Sequence, residues 1–210
     1  MRLYLASTSP ARLATLRAAG IEPAGLISPG VDEEAVTASL GPVTPGQMVL
    51  ELARAKATAV LGHFVDGEPI DGFILGGDSA FEFDGVVYGK PHEPSVARSR
   101  WQAMVGRSGV LHSGHWLIDH RGGEVRGEYG GVEDATVSFA PDITEDEIDA
   151  YIATGEPLEV AGAFTVDGRG AAFITSVDGA PSTVIGLSVP TLRHLLRAGF
   201  DIPLHQFWNR

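Results

Sequence analysis

The sequence predicts an α/β fold: a single domain with a mixed, twisted β-sheet flanked by helices, either as one body or as two lobes around a cleft. Strand-like apolar runs alternate with helical patterns along the chain. The segment FEFDGVVYGK contains the pair Asp84-Gly85, which is typical of a hairpin turn, and hairpins between helices favour a mixed sheet over a purely parallel one. The chain has 210 residues, of which 44% are hydrophobic, enough to bury the core of one domain.

The first part of the chain contains two predicted strands and two predicted helices. They are a buried strand at Arg2 to Ala6, helices at Ala11 to Ala19 and Pro45 to Leu61, and a strand at Gly72 to Gly76. A glycine follows each helix, and Thr44 precedes the second one as a predicted N-cap. We expect the second strand to end in the turn Gly77-Asp78-Ser79, which leads into the hairpin.

The rest of the chain continues the alternation of helices and strands. The predicted elements are a helix at Glu93 to Met104, paired strands at Val110 to Asp119 and Gly123 to Phe139, a helix at Thr144 to Thr154, strands at Gly162 to Val166 and Ala171 to Val177, and a final helix at Val189 to Ala198. Thr144 and Glu147 have the spacing of a capping box, which marks the start of the second of these helices.

Charge and composition restrict the kinds of partner. The formal net charge is −12 at pH 7 without any run of Lys or Arg, so the chain repels nucleic-acid backbones and anionic membranes. No apolar stretch approaches the roughly 20 residues of a membrane span, and the apolar start LYLA is too short for a signal-peptide core. The absence of cysteine is compatible with a reducing compartment. We expect a cytoplasmic protein that binds a small molecule, with no nucleic-acid and no membrane partner.

A stretch rich in hydroxyl groups separates the first strand from the first helix. Ser7-Thr8-Ser9-Pro10 and the nearby Arg12 place hydroxyls, backbone N–H groups and a guanidinium at the start of a helix. Such a helix start binds anions, because its dipole and its unsatisfied amides both favour negative charge. The alternative is an ordinary capped helix, since Ser and Thr are common N-caps and Pro is common in the first turn.

Lysine is almost absent from the chain. There are 15 basic residues of the lysine and arginine types, and only Lys56 and Lys90 are lysines. An ammonium group is a compact point charge that suits phosphate oxygens, and arginine cannot always replace it in a narrow site. Each lysine is therefore a candidate phosphate ligand, with a solvated surface position as the alternative.

Five separated motifs, in this order and spacing, make the chain resemble the Maf family, the septum-formation-inhibitor-like nucleoside triphosphate pyrophosphatases. They are LASTSPAR at Leu5 to Arg12, Val31-Asp32-Glu33, LARAKA at Leu52 to Ala57, Gly77-Asp78-Ser79 followed by Gly89-Lys90-Pro91, and TGEPLEVAGAFTVDGRGA at Thr154 to Ala171. The resemblance covers nearly the whole chain and implies one domain over residues 1–210 with a Maf or inosine-triphosphatase-like fold. It also implies a cytoplasmic, often homodimeric enzyme that uses Mg²⁺ or Mn²⁺ to cleave a nucleoside triphosphate into a monophosphate and pyrophosphate.

The residue types fit this reaction, in which water attacks the α-phosphorus and catalysis depends on positioning and charge neutralisation. Ser7, Ser9 and Arg12 would hold phosphate oxygens. Lys56 and Lys90 would neutralise the charge that accumulates toward the leaving group. The opening stretch is then expected to be a phosphate-binding turn.

Two carboxylates have roles that the sequence leaves open. The resemblance implies that Asp78 accepts the proton of the attacking water. On chemical grounds Asp78 could instead bind Mg²⁺ with Glu33 as a second ligand, because this ion commonly uses one or two carboxylates and substrate phosphates. A turn-forming Asp78 and a solvated Glu33 are the structural alternatives.

The position of the base is where the chain departs from both family subgroups. The subgroup that acts on thymidine and uridine triphosphates has arginine, threonine and glutamine where this chain has Ala11, Ser79 and Asp167. The subgroup that acts on 7-methylguanosine triphosphate tends to have tryptophan, glutamine and glutamate there. Because a carboxylate only accepts hydrogen bonds, Asp167 suits the N1–H and N2–H₂ donors of guanine and would repel the carbonyls of uracil and thymine.

Two other functions fit part of the pattern. A non-catalytic nucleotide-binding regulator of septum formation would bind nucleotides without turnover. A phosphatase of other small metabolites would release orthophosphate, since phosphate-binding groups do not identify the rest of a ligand.

Overall fold

The computed structural model describes residues 1–209, in which strands and helices alternate along most of the chain. The strands are β1 (Leu3–Ala6), β2 (Gly25–Leu26), β3 (Phe64–Val65), β4 (Glu68–Pro69), β5 (Gly72–Phe83), β6 (Val86–Tyr88), β7 (Ser108–His120), β8 (Gly127–Phe139) and β9 (Ile174–Asp178). The helices are α1 (Pro10–Ala18), α2 (Glu33–Leu40), α3 (Pro45–Ala59), α4 (Pro94–Met104), α5 (Glu145–Ala153), α6 (Pro181–Ile185) and α7 (Val189–Phe200). Short 3₁₀ turns lie at Glu156–Glu159, Ala161–Ala163, Arg169–Phe173 and Leu204–Phe207.

Seven of these strands form one mixed sheet, which confirms the predicted fold class. Its order is β2-β1-β5-β7-β8-β9, and β6 pairs with β5. The strand β1 is parallel to β2 and β5, whereas β6 and β9 are antiparallel to their partners. The hairpin between β5 and β6 turns at Asp84 and Gly85, both with positive φ, as predicted. None of the helices in residues 1–209 combines the length and apolar character that a membrane span requires.

The chain divides into two compact units. The first unit comprises Met1–Asp78, Ser113–Glu133 and the chain from Gly186 onward. The second unit comprises Ser79–His112 and Asp134–Ile185. That the whole chain behaves as one domain stays a prediction.

The first unit buries both faces of its central strands. Leu3 and Leu5 of β1 pack in a cluster with side chains of α7, whereas Tyr4 and Ala6 pack on the opposite face with Ala57 of α3. Side chains alternate between the faces of a strand, so a strand covered on both sides has a continuous apolar sequence. The run LYLA has this pattern, and the structure confirms the predicted buried strand.

The second unit has an aromatic core. Trp101 of α4 is fully buried and makes edge-to-face contacts with Phe139 and Phe173, and its indole N–H donates to the carbonyl of Ala163 at 2.8 Å. Phe164 contacts Phe139 in the same geometry. Such ring pairs add to the free energy gained by burying apolar surface. These aromatic contacts form the centre of the core of the second unit.

Two glycines let helix α3 approach the sheet closely within the first unit. A Cβ atom on Gly76 would collide with the carbonyl oxygen of Ala53, and one on Gly114 would collide with the carbonyl oxygen of Val49. The backbone of α3 therefore lies against β5 and β7 at positions where no side chain fits. This packing sets how far Lys56, one turn after Ala53, stands from the strands.

Several local predictions were wrong or incomplete, among them the strand predicted to begin at Ala171, which begins at Ile174 after a 3₁₀ turn. Gly77-Asp78-Ser79 does not form a turn but lies inside the continuous strand β5, since Asp78 is buried and ladder pairing continues to the hairpin. The predicted strand at Gly162 to Val166 is a 3₁₀ turn and a loop, because Ala163 and Phe164 reach the core without strand pairing. Helix α2 was missed because none of its side chains is buried, which leaves it without an apolar stripe.

Candidate active site

The start of helix α1 is both capped and rich in donors. Ser9 is the N-cap, and its Oγ accepts from the backbone N–H of Arg12 at 3.4 Å. The Oγ of Ser7 accepts from the backbone N–H of Ser9 at 3.1 Å. The capped helix that was the alternative to an anion site is therefore present. A cap does not exclude an anion site, because the side chain of Arg12 also lies at this end of the helix.

Arg12 is held in one orientation by groups of the first unit. Its Nε donates to the carbonyl oxygen of Gly186 at 2.8 Å, and its Nη1 donates to the Oγ of Ser7 at 3.3 Å. A Cβ on Gly77 would lie 3.2 Å from Nε, so the guanidinium lies directly over this glycine of β5. Burial lowers the pKa of Arg12, and the charges of Asp78 and Glu33 oppose this shift. Arginine stays protonated under these conditions and supplies a fixed positive charge.

A buried ion cluster of Lys56, Asp78 and Glu33 connects three elements of the first unit. The Nζ of Lys56 lies 2.6 Å from Oδ1 of Asp78 and 2.7 Å from Oε1 of Glu33. The side chains of Lys56 and Asp78 are only 8% and 11% exposed, whereas that of Glu33 is 54% exposed. Burial raises the pKa of Asp78, and the positive charges of Lys56 and Arg12 oppose this rise. A desolvated lysine between two carboxylates needs these partners, because an unpaired charge is costly to bury.

This cluster determines what the site can bind. Arg12 and Lys56 supply two cations for phosphate oxygens, and Glu33 and Asp78 supply carboxylate oxygens. Among residues 1–209, no group of three or more His, Cys, Asp or Glu side chains is arranged to hold a metal ion. A metal here would therefore have two protein carboxylates and would need further oxygens from a ligand, as Mg²⁺ commonly has in phosphate-binding sites.

The other three predicted site residues belong to the second unit. Ser79 follows Asp78 on β5 and is partly buried. Lys90 lies in the loop after β6 and Asp167 in the loop before the turn at Arg169–Phe173, and both residues are exposed. In the part of the chain that the structure describes, neither Lys90 nor Asp167 has a hydrogen-bond or ion-pair partner. The structure thus groups six of the nine predicted residues in the first unit, and the roles of all nine stay predictions.

The structure adds Glu156, a carboxylate for which the sequence suggested no role. Its Oε1 accepts from the hydroxyls of Tyr151 and Thr165, at 3.0 and 2.5 Å, and from the backbone N–H of Gly170 at 3.1 Å. Burial acts to raise the pKa of Glu156, but these hydrogen bonds outweigh it and lower the pKa to about 2. Glu156 thus fixes the loop that carries Asp167. Its place in the motif TGEPLE was the signal that could have found it.

An α/β protein with two cations and two carboxylates beside a helix N-terminus is typical of enzymes that act on phosphate groups. Comparison with known sequences shows which family within this class of enzymes the chain matches. The profile of the family described as Maf-like protein matches residues 2–199. The chain belongs to the Maf family, which confirms the resemblance seen in the five motifs.

The chain is also similar to bacterial proteins named nucleoside triphosphate pyrophosphatase. One from Leifsonia xyli subsp. xyli is 60% identical over 214 residues, which cover 100% of this chain and 98% of that protein. One from Salinispora tropica is 50% identical, with coverage of 100% and 88%, and one from Nocardia farcinica is 49% identical, with coverage of 99% and 96%. The likeness thus extends over at least 99% of this chain and over 88% to 98% of each of these relatives.

Proposed function

We propose that this chain is a nucleoside triphosphate pyrophosphatase, a hydrolase that acts on acid anhydrides. The names of its full-length relatives support this function, and so does membership of the Maf family. The observation that carries the proposal is the contact of the buried Lys56 ammonium with both Asp78 and Glu33, beside the guanidinium of Arg12. The arrangement offers cations for a polyphosphate together with a desolvated carboxylate for the attacking water.

In the proposed reaction the oxygen of a water molecule bonds to the α-phosphorus, and the bond from that phosphorus to the bridging oxygen breaks. Pyrophosphate leaves with the electron pair, and the water gives up its proton. Arg12 and the donors at the start of α1 orient the phosphates, and Lys56 offsets charge on the leaving group. Lys90 is proposed to supply a further positive charge for the phosphates.

Asp78 is the proposed proton acceptor for the water. Its burial favours this role, because a carboxylate with a raised pKa is a stronger base than a solvated one. The second role, as a metal ligand with Glu33, stays open. The two carboxylates share one cationic partner, so they lie close enough to face a common ion.

We propose Mg²⁺ or Mn²⁺ as the cofactor, held by Glu33 and Asp78 together with substrate phosphates. Two hard carboxylate oxygens are the donor set that Mg²⁺ accepts in phosphate sites, and the residues fit it. A bound ion would neutralise phosphate charge and polarise phosphoryl oxygens. Lys56 would then exchange part of its contact with the carboxylates for contact with phosphate.

Asp167 is the proposed contact of the nucleotide base. Asp167 is exposed in a loop that Glu156 fixes, and its carboxylate can only accept hydrogen bonds. We therefore propose that guanine-type triphosphates are preferred over UTP and dTTP, with Ser79 as a further contact. A cytoplasmic location and a homodimer rest on the family resemblance and stay predictions.

A panel of nucleoside triphosphates tests this function. The purified chain is incubated with Mg²⁺ or Mn²⁺ while monophosphate, pyrophosphate and orthophosphate are measured separately. The proposal expects equal amounts of monophosphate and pyrophosphate. Orthophosphate as the first product would indicate a phosphatase, and binding without turnover would indicate a regulator. The variant Asp78→Asn, prepared in parallel, controls for contaminating enzymes.

A further inference from the structure

We propose that His115 is a positioning residue that holds Arg12 in place through the segment Gly186–Ser188. The inference rests on the proposed function of Arg12 as a phosphate ligand. His115 is on β7 and has no exposed surface. It is one of the few fully buried polar side chains of the chain, and neither the sequence patterns nor the proposed reaction gives it a role.

The ring of His115 is joined directly to the segment. Its Nε2 accepts a hydrogen bond from the backbone N–H of Ser188 at 2.8 Å. Because Nε2 is the acceptor, the proton of the ring must be on Nδ1, and the imidazole is neutral. Burial and the nearby charge of Arg12 lower the pKa of His115 to about 4, which keeps this form at neutral pH.

The same segment supplies the acceptor that orients Arg12. The carbonyl oxygen of Gly186 receives the Nε–H of Arg12 at 2.8 Å. Gly186 has a φ of 108°, a conformation that side chains disfavour, so its carbonyl direction depends on the absence of a Cβ. Two residues later, the N–H of Ser188 is the group held by His115. The segment is thus fixed at one end by the imidazole and at the other holds the guanidinium.

This link matters because an arginine side chain is flexible and lies here beside two carboxylates. The charges of Asp78 and Glu33 both act on Arg12. If the carbonyl of Gly186 moved, the guanidinium would lose its Nε acceptor and turn toward these carboxylates. The cation would then neutralise the proposed base and would be poorly placed for phosphate. His115 would in this way act on substrate without touching it.

Substitutions that keep or remove the acceptor at the Nε2 position test the proposal. The amide of His115→Gln can reach the place of Nε2, whereas the amide of His115→Asn is too short to meet the N–H of Ser188. We expect His115→Asn to raise KM for the triphosphate and to lower kcat/KM about tenfold or more. His115→Gln should stay within about threefold of the natural chain. Leu196→Ala, a buried core change in the same unit, controls for general loss of stability.

A double-mutant cycle with Arg12→Ala separates positioning from a structural role. In the Arg12→Ala background, His115→Asn should change kcat/KM less than about twofold, because the group that His115 positions is gone. The same comparison is made for affinity, with inorganic tripolyphosphate as the titrated probe in calorimetry. If His115→Asn does not fold, His115→Gln is compared with Gly186→Ala instead. We then expect little loss of kcat/KM for His115→Gln and a large loss for Gly186→Ala.

Three results overturn the inference. In the first, His115→Asn lowers kcat/KM as much in the Arg12→Ala background as in the natural chain. In the second, His115→Asn and His115→Gln lower kcat/KM equally. In the third, His115→Asn lowers Tm but leaves kcat/KM unchanged. A natural chain that binds tripolyphosphate yet has no turnover would contradict the proposed function alone, since the affinity cycle would still report on His115. A natural chain that neither binds nor hydrolyses a triphosphate would remove both.

Discussion

The ammonium of Lys56 lies 2.6 Å from a carboxylate oxygen of Asp78, and water has little access to either group. A buried pair of this kind contributes less to stability than its short distance suggests, since both ions lose hydration. Removing one partner is nevertheless strongly unfavourable, because the other charge stays buried. The pair therefore couples the stability of the first unit to the groups proposed for catalysis, and variants at the two positions must be measured for both.

Replacing Asp78 by Asn should abolish most turnover. The amide cannot accept the proton of water, and losses of roughly 10² to 10⁴ in rate are typical when a general base is removed. Lys56 keeps Glu33 as a partner, so the variant should still fold and bind a triphosphate. Initial rates, circular dichroism and calorimetric titration check this, with the exposed Asp142→Asn as the matched control. Near-normal rates in the folded variant would exclude Asp78 from the mechanism.

Replacing Lys56 by Met should lower stability as well as activity. The methionine fills a similar volume but leaves the buried carboxylate of Asp78 without its main partner, and breaking such a pair costs about 3 kcal/mol or more. In the double variant Lys56→Met with Asp78→Asn, part of the lost stability should return, since neither member of the buried pair is left as an unpaired charge. Thermal unfolding of the natural chain, the two single variants and the double variant gives the coupling free energy between Lys56 and Asp78. A single variant as stable as the natural chain would show that the pair is solvated.

Replacing Lys90 by Ala should lower activity without lowering Tm. Lys90 is exposed, and within residues 1–209 it has no ion-pair partner, so its removal breaks no internal contact. A cation that contacts phosphate in the transition state would show as a fall in kcat/KM of tenfold or more. Arg193→Ala, which removes another exposed cation, is the control. Full activity of the Lys90 variant would return this residue to the role of a solvated surface lysine.

Replacing Asp167 by Gln should shift the base preference toward UTP and dTTP. Glutamine both donates and accepts, whereas the carboxylate of Asp167 repels carbonyl oxygens of the pyrimidine bases. A mismatched polar contact in a binding site typically costs a few kcal/mol, so the ratio of kcat/KM values should change at least roughly tenfold. Asp178→Asn, which changes an exposed carboxylate at the end of β9, is the control. An unchanged ratio would mean that Asp167 only shapes its loop.

The stability of the chain should fall as the pH is lowered from about 6.5 to 4 because of His115. Its pKa is about 4 in the folded chain and near 6.5 when unfolded, so in this range the unfolded state binds the extra proton. The free energy of unfolding therefore rises with pH across the window, by roughly 3 kcal/mol in total for this group. Urea unfolding at several pH values measures the slope. His115→Gln should have a smaller slope, and an identical slope would show that the histidine titrates normally.

Local signals predicted much of the fold and part of the site. The N-cap Ser9 and the capping box of Thr144 with Glu147 depend on residues three apart, and the structure contains both. The predicted turn at Asp78 failed because the strand continues by pairing with distant chain segments, which local residue preferences do not report. The carbonyl of Gly186 lies 174 residues from Arg12 in sequence, and a backbone acceptor has no residue type that marks it.

The close contact of α3 with Gly76 and Gly114 means that the packing of the main chain sets the distances within the site. The gap between the ammonium of Lys56 and the carboxylate of Asp78 is set where backbone meets backbone, not by the lengths of neighbouring side chains. A methyl group at either glycine would collide with the backbone of α3 and push the helix away from the sheet, so the position of the Lys56 ammonium relative to Asp78 would change.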